Sequence, residues 1–259
     1  MANIIKRGIR KVQRGIHELR AFRLVDSREL HAVHEEMHLR HFLRLLKVDC
    51  VFDVGANWGQ YALMLRKKAG FDGRIISFEP IPEAAAGIRY QSQQDPLWTV
   101  EELALADETC TGEFHITQDS QFSSLATPRH QDVSIFKDQS RPVKTVLVKT
   151  ETLTAAFRRL QRQFGFRRPF LKLDTQGLDV EVLRSGKEVA FNFVGLQSEL
   201  AIKQIYERSL DFREALTFYQ SLGFELSALV PNNVGQFPVL IEIDCIMGRK
   251  DILASYFSP

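Results

Sequence analysis

The chain has 259 residues, 44% of them apolar and 25% charged, with a net charge of +2. This suits one large α/β domain with a modest appendage and excludes wholesale disorder or a long repeat array. No stretch approaches the roughly 20 continuous apolar residues of a membrane-spanning helix. The N-terminal residues interrupt every apolar run with Lys or Arg, unlike a secretory signal, and Cys50, Cys110 and Cys245 are too few and scattered for a disulfide framework, so a cytoplasmic protein with reduced thiols is expected.

Through Val48 the chain carries 11 bases against five acids, and five of its seven histidines; the remainder is mildly acidic. Ile5, Ile9, Val12, Ile16 and Leu19 recur at spacings of 4, 3, 4 and 3, which predicts an amphipathic helix with Lys6, Arg7, Arg10, Lys11 and Arg14 off its apolar face. Such a helix packs on the body or on a partner subunit, or lies on an anionic membrane surface. Nucleic acid is disfavoured, since Phe22 alone supplies a stacking ring nearby. A second helix is predicted from about Ser27, its N-cap, to Leu46. Inside it, His34, Glu35, Glu36, Met37 and His38 form an H-E-x-x-H match, and His31 and His41 extend the imidazole face. Glu36 puts a charge where zinc-protease helices carry an uncharged residue, so no metal site is assigned.

From Cys50 short apolar runs alternate with helical stretches. Strands are predicted over residues 50–54, 74–78, 98–105, 143–148, 170–173, 193–197, 224–229 and 239–247. Helices are predicted over 60–68, 82–91, 151–163, 180–183 and 212–222. The alternation predicts a three-layer, Rossmann-like α/β fold, with about seven strands, mostly parallel, and helices on both faces. Only turn residues, Pro231, Asn232, Asn233 and Gly235, separate the last two strands, which read as an antiparallel hairpin. Residues 110–142 break the rhythm and read as a polar insertion suited to substrate contacts. The expected division is a basic helical appendage, 1–48, and a main domain, 49–259.

The sharpest local signal is VFDVGANWGQYALML, residues 51–65: a strand ending in Asp53, a loop with Gly55, Asn57 and Gly59, and a helix from about Gln60. Glycines serve a tight turn or a close ligand, and the helix N-terminus offers unpaired N–H groups. Asp53 can receive an ammonium, and Glu79, at the end of the next strand, can accept both hydroxyls of a ribose. The loop lacks the G-x-G-x-x-G of dinucleotide sites. An amino acid joined to a ribose fits the two acids better, and S-adenosylmethionine is that molecule.

With these residues in view, the chain resembles the FkbM-type methyltransferases of the class I, S-adenosylmethionine-dependent fold. The resemblance rests on the ordered strings VFDVGANWGQYA, ISFEPIPE, ALAD, SSL, LKLDTQGLDVEVLRSG, SELAIKQIYE and LGFELSALVP…IEIDCIMGR, over about residues 48–250. It implies a seven-stranded sheet with an antiparallel terminal hairpin, and methyl transfer to an oxygen of a sugar, glycolipid or natural product. By motif, Asp53, Gly55, Asn57 and Gly59, with Gln60, would face the methionine end of the cofactor. Glu79, with Pro80, would hold the ribose, and Ala104, Leu105 and Asp107 would border the adenine. The family's D-x-x-G-x-E motif stands here as Asp174 to Asp179, its final acid one carbon shorter.

Methyl transfer to a hydroxyl gains from alignment and from a nearby base. Asp174 and Glu199 fall at predicted carboxyl ends of strands, where ligands sit in open α/β sheets. They are the expected base or acceptor-orienting groups, with Gln176 beside them. The plainer reading is a cofactor contact for Asp174 and a helix cap for Glu199. His115 and Asp244 are further candidates. Two other functions compete: an NAD(P)-dependent oxidoreductase, and a non-catalytic nucleoside-binding scaffold anchored through its basic helix.

Overall fold

The computed structural model describes residues 25–26, 29–128, 136–231 and 238–256. The helix predicted over 5–19, the cap Ser27 and the turn residues Asn232, Asn233 and Gly235 lie outside them. Residues His31–Pro259 form one compact unit. In chain order the elements are α1 (Leu30–Leu45), β1 (Cys50–Val54), α2 (Gln60–Met64, continuing as a π-helical turn Leu65–Ala69), β2 (Arg74–Phe78), α3 (Pro82–Gln91), β3 (Trp98–Glu101), β4 (Ala104–Ala106), β5 (Thr111–Thr117) and β6 (Pro142–Thr152). There follow α4 (Leu153–Phe164), β7 (Pro169–Leu173), α5 (Asp179–Ser185), β8 (Gly195–Ala201), α6 (Phe212–Ser221), β9 (Phe224–Val230), β10 (Glu242–Arg249) and α7 (Lys250–Ala254).

Seven strands form one sheet in the order β3-β2-β1-β7-β8-β10-β9, and only β10 runs antiparallel to its neighbours. This is the Rossmann-like arrangement with an antiparallel terminal pair. Both central strands, β1 and β7, are buried along their whole length, as parallel strands covered on two faces must be. Local chemistry sets the helix ends. Pro82 opens α3. The Thr152 hydroxyl caps α4 by accepting from the Ala155 N–H, and Gly165 ends it at φ 69°.

One face of the sheet carries a phenylalanine core, with the Phe52 ring 5.4 to 6.3 Å from those of Phe78, Phe157, Phe166 and Phe193. The other face is covered by α1. Leu39, Phe42, Leu43 and Leu46 make an i, i+3, i+4, i+7 stripe that packs with Val51, Leu65, Ile75, Val194 and Ile246. Each such burial contributes about 2 kcal/mol. Residues from His31 onward therefore belong to the main unit, which corrects the boundary drawn at 49.

Three further expectations are revised. The strand predicted over 98–105 is two strands: β3 joins the large sheet, and β4 pairs with β6 after a turn in which Leu103 N–H donates to Glu101 O. The polar insertion contains β5, which pairs antiparallel with β6, itself longer than predicted. β8 starts at Gly195 because a 3-10 turn occupies Ala190–Asn192.

Candidate active site

The parallel strands deliver their carboxyl ends to one crevice. Asp53 on β1 has Ser77 of β2 and Lys172 of β7 as register partners, so the three side chains share a face. Trp98 Nε1 donates to Ser77 Oγ (3.0 Å), and Ser77 Oγ donates to Asp53 Oδ2 (3.0 Å). Lys172 Nζ lies 3.6 Å from Asp53 Oδ1 and donates to Asp174 Oδ2 (3.1 Å) and Gly55 O (3.3 Å). Burial pushes Asp53 towards the neutral form and Lys172 opposes it; burial also works against the Lys172 cation, but Asp174 and Asp53 outweigh it and keep the ammonium charged. Asp53 Oδ1 is buried and accepts no hydrogen bond.

The loop after β1 is shaped first by the protein's own packing. Gly55 has φ 77°, and a Cβ there would lie 1.8 Å from Asp174 O, so the β1 and β7 loops could not meet around a larger residue. Gly59, at φ 82°, abuts the Trp98 ring. Asn57 adopts φ 48° and its N–H donates to Glu79 Oε2 (2.8 Å), while Ile81 N–H donates to Oε1 (2.9 Å). Burial nonetheless raises the Glu79 carboxyl to about 7. Pro80 is buried beside it. Gln60 is exposed, its Oε1 accepting from Trp58 N–H. Ala104 and Leu105 are buried in β4, whereas Asp107 is on the surface, 3.1 Å from the Arg208 guanidinium.

Asp174, Gln176 and Glu199 come together. Gln176 Nε2 donates to Asp174 Oδ1 (2.7 Å) and Glu199 Oε2 (3.3 Å). Tyr206 OH lies 2.8 Å from Gln176 Oε1 and 3.1 Å from Phe122 O. Asp179, the shortened motif acid, is occupied by hydrogen bonds to the loop and to β8. Its Oδ1 accepts from Thr175 N–H and Oγ1, and its Oδ2 from Ser198 Oγ and Glu199 N–H, so it ties the loop to β8. Ser124, in the SSL string, holds the same loop from the insertion side, with its hydroxyl at the carbonyls of Thr175 and Gln176. Burial, then Glu242, Asp174 and Asp244, push Glu199 well above the usual carboxylate range.

Asp244 sits opposite Glu199 on β10. Its Oδ2 accepts from Gln197 Nε2 (2.7 Å), which also donates to Glu35 Oε1 of α1 (2.7 Å), and Tyr61 OH donates to Gln197 Oε1 (2.9 Å). Half of the H-E-x-x-H signal thus enters the crevice, through its glutamate. Its histidines do not. His38 Nε2 is 3.0 Å from Ser227 Oγ on β9, and the His34 ring lies 6.4 Å from that of His38; His41, outside the motif, has its Nδ1 2.8 Å from Met37 O. Among the described residues no group of three or more His, Cys, Asp and Glu is placed to hold a metal ion. His115 lies on β5, its Nδ1 3.2 Å from Thr145 Oγ1, and not among the carboxylates.

Sequence reading did not single out Lys172, Tyr61, Gln197, Tyr206 or Glu242. Lys172 carried a signal, a lysine inside the otherwise apolar FLKL of a buried strand. The others depend on cross-strand register and on contacts more than 20 residues apart.

The model of the family described as Methyltransferase FkbM domain matches residues 53–226, more than half of the chain. No curated protein matches the sequence. Among solved structures, Aeropyrum pernix fibrillarin, in complex with natively bound S-adenosyl-L-methionine, is 11% identical, with 77% of this chain and 66% of that chain covered and a TM-score of 0.43. EvdMO1 is 12% identical, with 83% and 40% covered and a TM-score of 0.42. The magnesium protoporphyrin IX methyltransferase of Synechocystis PCC 6803, with bound SAM, is 8% identical, with 88% and 86% covered and a TM-score of 0.44. The chain spans less than two thirds of the length of the first two. Likenesses this distant bear on none of the residues above.

Proposed function

This chain belongs to the FkbM methyltransferase family, and from that premise we propose that it methylates a hydroxyl of a sugar, glycolipid or natural product. As a family member it is an S-adenosylmethionine-dependent methyltransferase. Its residues fit that cofactor. Each Glu79 oxygen accepts one backbone N–H, and a carboxylate offers about four lone-pair sites, leaving capacity for two hydroxyl donors. The buried Asp53 Oδ1 has Lys172 at 3.6 Å as an ion-pair partner but makes no hydrogen bond, which leaves it an acceptor for a donor of the cofactor's ammonium. Bound there, the cofactor supplies a methyl group carried on a sulfonium.

The acceptor class rests on the junction of Asp174 and Gln176, just after β7, with Glu199 in the second half of β8. A neutral hydroxyl must shed its proton as its oxygen is alkylated, and a buried carboxylate with raised proton affinity suits that task. Glu199 takes the proton, and Asp174, anchored by Lys172, orients the hydroxyl. Lys172 offsets part of the local negative charge and keeps Asp174 in place. Nothing in this geometry favours the dinucleotide or scaffold readings. Peripheral contact with an anionic membrane through the basic N-terminal stretch, and a cytoplasmic location, belong to the same proposal. They are supported by Lys6, Arg7, Arg10, Lys11 and Arg14 and by three cysteines left as thiols. No helix among the described residues is long and apolar enough to cross a membrane.

The test is transfer of labelled methyl from S-adenosylmethionine to a panel of sugar, glycolipid and natural-product hydroxyls. Glu199→Gln should lower turnover by about 100-fold or more and leave the affinity for S-adenosylhomocysteine within about threefold. Methylation of nitrogen or carbon instead, or full turnover by Glu199→Gln, would overturn the reading.

A further inference from the structure

Two side-chain clusters in the crevice have the same construction. In one, Tyr206 OH meets Gln176 Oε1 at 2.8 Å and Gln176 Nε2 donates to Asp174 and Glu199. In the other, Tyr61 OH meets Gln197 Oε1 at 2.9 Å and Gln197 Nε2 donates to Glu35 and Asp244. The glutamines come from the β7–α5 loop and from β8; the tyrosines come from the loop before α6 and from α2. Neither pairing was visible in the sequence.

We propose that Tyr206 and Tyr61 are positioning residues, each locking one glutamine amide so that its NH2 group serves two carboxylates of the crevice. The reason is the asymmetry of the primary amide. A free glutamine can present either its oxygen or its nitrogen to a neighbour. An ionised carboxylate has no proton to give, so an amide oxygen turned towards it is repelled and an amide NH2 is attracted. A tyrosine hydroxyl on the far side settles the choice by donating to the oxygen. Burial holds both phenols far above their usual range, so neither loses the proton it donates. Tyr206 has one proton for two acceptors, and the nearer is Gln176 Oε1 rather than Phe122 O.

The consequence concerns the ionised form of the acids. Glu199 faces Asp174 at the end of β7, Asp179 of α5, and Glu242 and Asp244 of β10. Glu35 faces its own neighbour Glu36, Lys172 and Asp174 from β7, and Asp244 from β10. Within these surroundings Lys172 is the cation, and the two NH2 groups are fixed donors that favour charge on the carboxylates. By favouring the charged form against burial, the lock lowers the pH at which these acids ionise and so widens the range in which they can accept from a substrate rich in hydroxyl groups. That last step rests on the O-methylation reading; the locks themselves do not.

The test follows the side-chain carboxyl carbons of Glu199 and Glu35 by 13C NMR titration of the full-length protein, assigned with Glu199→Gln and Glu35→Gln. Tyr206→Phe keeps the buried ring and removes the hydroxyl. It should raise the Glu199 midpoint by about one pH unit, the loss of a charge-assisted hydrogen bond, and leave Glu35 within a few tenths. Tyr61→Phe should do the reverse. Gln176→Asn and Gln197→Asn, with amides one methylene short, should reproduce the crossed pattern should either phenylalanine variant fail to fold. Midpoints unmoved in the variants, or both moving together in each, would overturn the proposal, because general loosening has no reason to separate the two acids. Failure of every hydroxyl acceptor in the methyl-transfer assay, with the crossed shifts present, would instead refute the O-methylation reading alone.

Discussion

At Gly55 the constraint is backbone against backbone. With φ 77° and Asp174 O only 1.8 Å from where a Cβ would sit, Gly55→Ala has no side chain to push aside. It should destabilise the protein by about 3 kcal/mol or more in urea denaturation, combining left-handed strain with displacement of the β7 loop. Gly59→Ala, at φ 82°, meets side chains rather than backbone, the edge of the Trp98 ring at 3.0 Å and Ile88 Cγ1 at 3.4 Å, and should lose roughly 1–2 kcal/mol. Equal losses at the two sites would contradict this account. Both glycines stood out in the sequence, because a strand followed by a glycine-bearing loop and a helix is a local pattern. Their tightest neighbours did not, since Asp174 is 119 residues further on. Gln176 was legible as a neighbour of the two acids but its geometry was not: its left-handed φ of 55° turns its amide between Asp174 and Glu199, and glutamine is not a residue from which that backbone is foreseen.

The element on which the site turns is the loop from β7 to α5, and Asp179 is its anchor. Its four accepted hydrogen bonds bind Thr175 on one side and Ser198 and Glu199 on the other. Asp179→Ala would leave the Thr175 and Glu199 N–H groups without these acceptors and should lower stability by roughly 2–4 kcal/mol. Faster amide hydrogen exchange at Thr175 and Glu199, with α4 unaffected, would mark the local origin; unchanged exchange at both would contradict it. The elements bounded by strong local signals were legible: β1, β2 and α3 start and stop where turn residues and Pro82 place them. The turn between β3 and β4 has neither glycine nor proline to announce it, so the two strands read as one. β5 was lost in a polar stretch because only Phe114 and Thr117 of its seven residues are buried, leaving little apolar alternation to detect. Helix α1 was legible as a helix but not as part of the body, since its apolar stripe fits only against a face assembled from β1, β2 and β10.

Across the whole molecule, Glu35, Asp53, Glu79, Asp179, Glu199, Glu242 and Asp244 all have their proton affinity raised, burial being the main cause in each. An acid with a higher pKa in the folded than in the unfolded state binds more protons when folded, so stability falls as pH rises between the two values. For Glu79 and Glu242 that window runs from 4.5 to about 7. The Tm should therefore drop from pH 5 to pH 8, and Glu242→Gln should raise it at pH 8 but not at pH 4.5; a Tm rising over that range would contradict the placement of these acids. Concentrating unfavourable charge where strands end is the mark of a site kept for chemistry rather than for stability. The most direct test of that chemistry is calorimetric titration of the full chain with S-adenosylhomocysteine at pH 6 and pH 8, with Asp53→Ala, Glu79→Ala and an NADH control. Binding should be about tenfold tighter at pH 8, where the Glu79 carboxyl of about 7 is ionised to accept ribose hydroxyls, and should be lost in both variants, with no heat from NADH. Folded protein that does not bind S-adenosylhomocysteine, or binds it undiminished without Asp53 and Glu79, would contradict the assignment of this crevice.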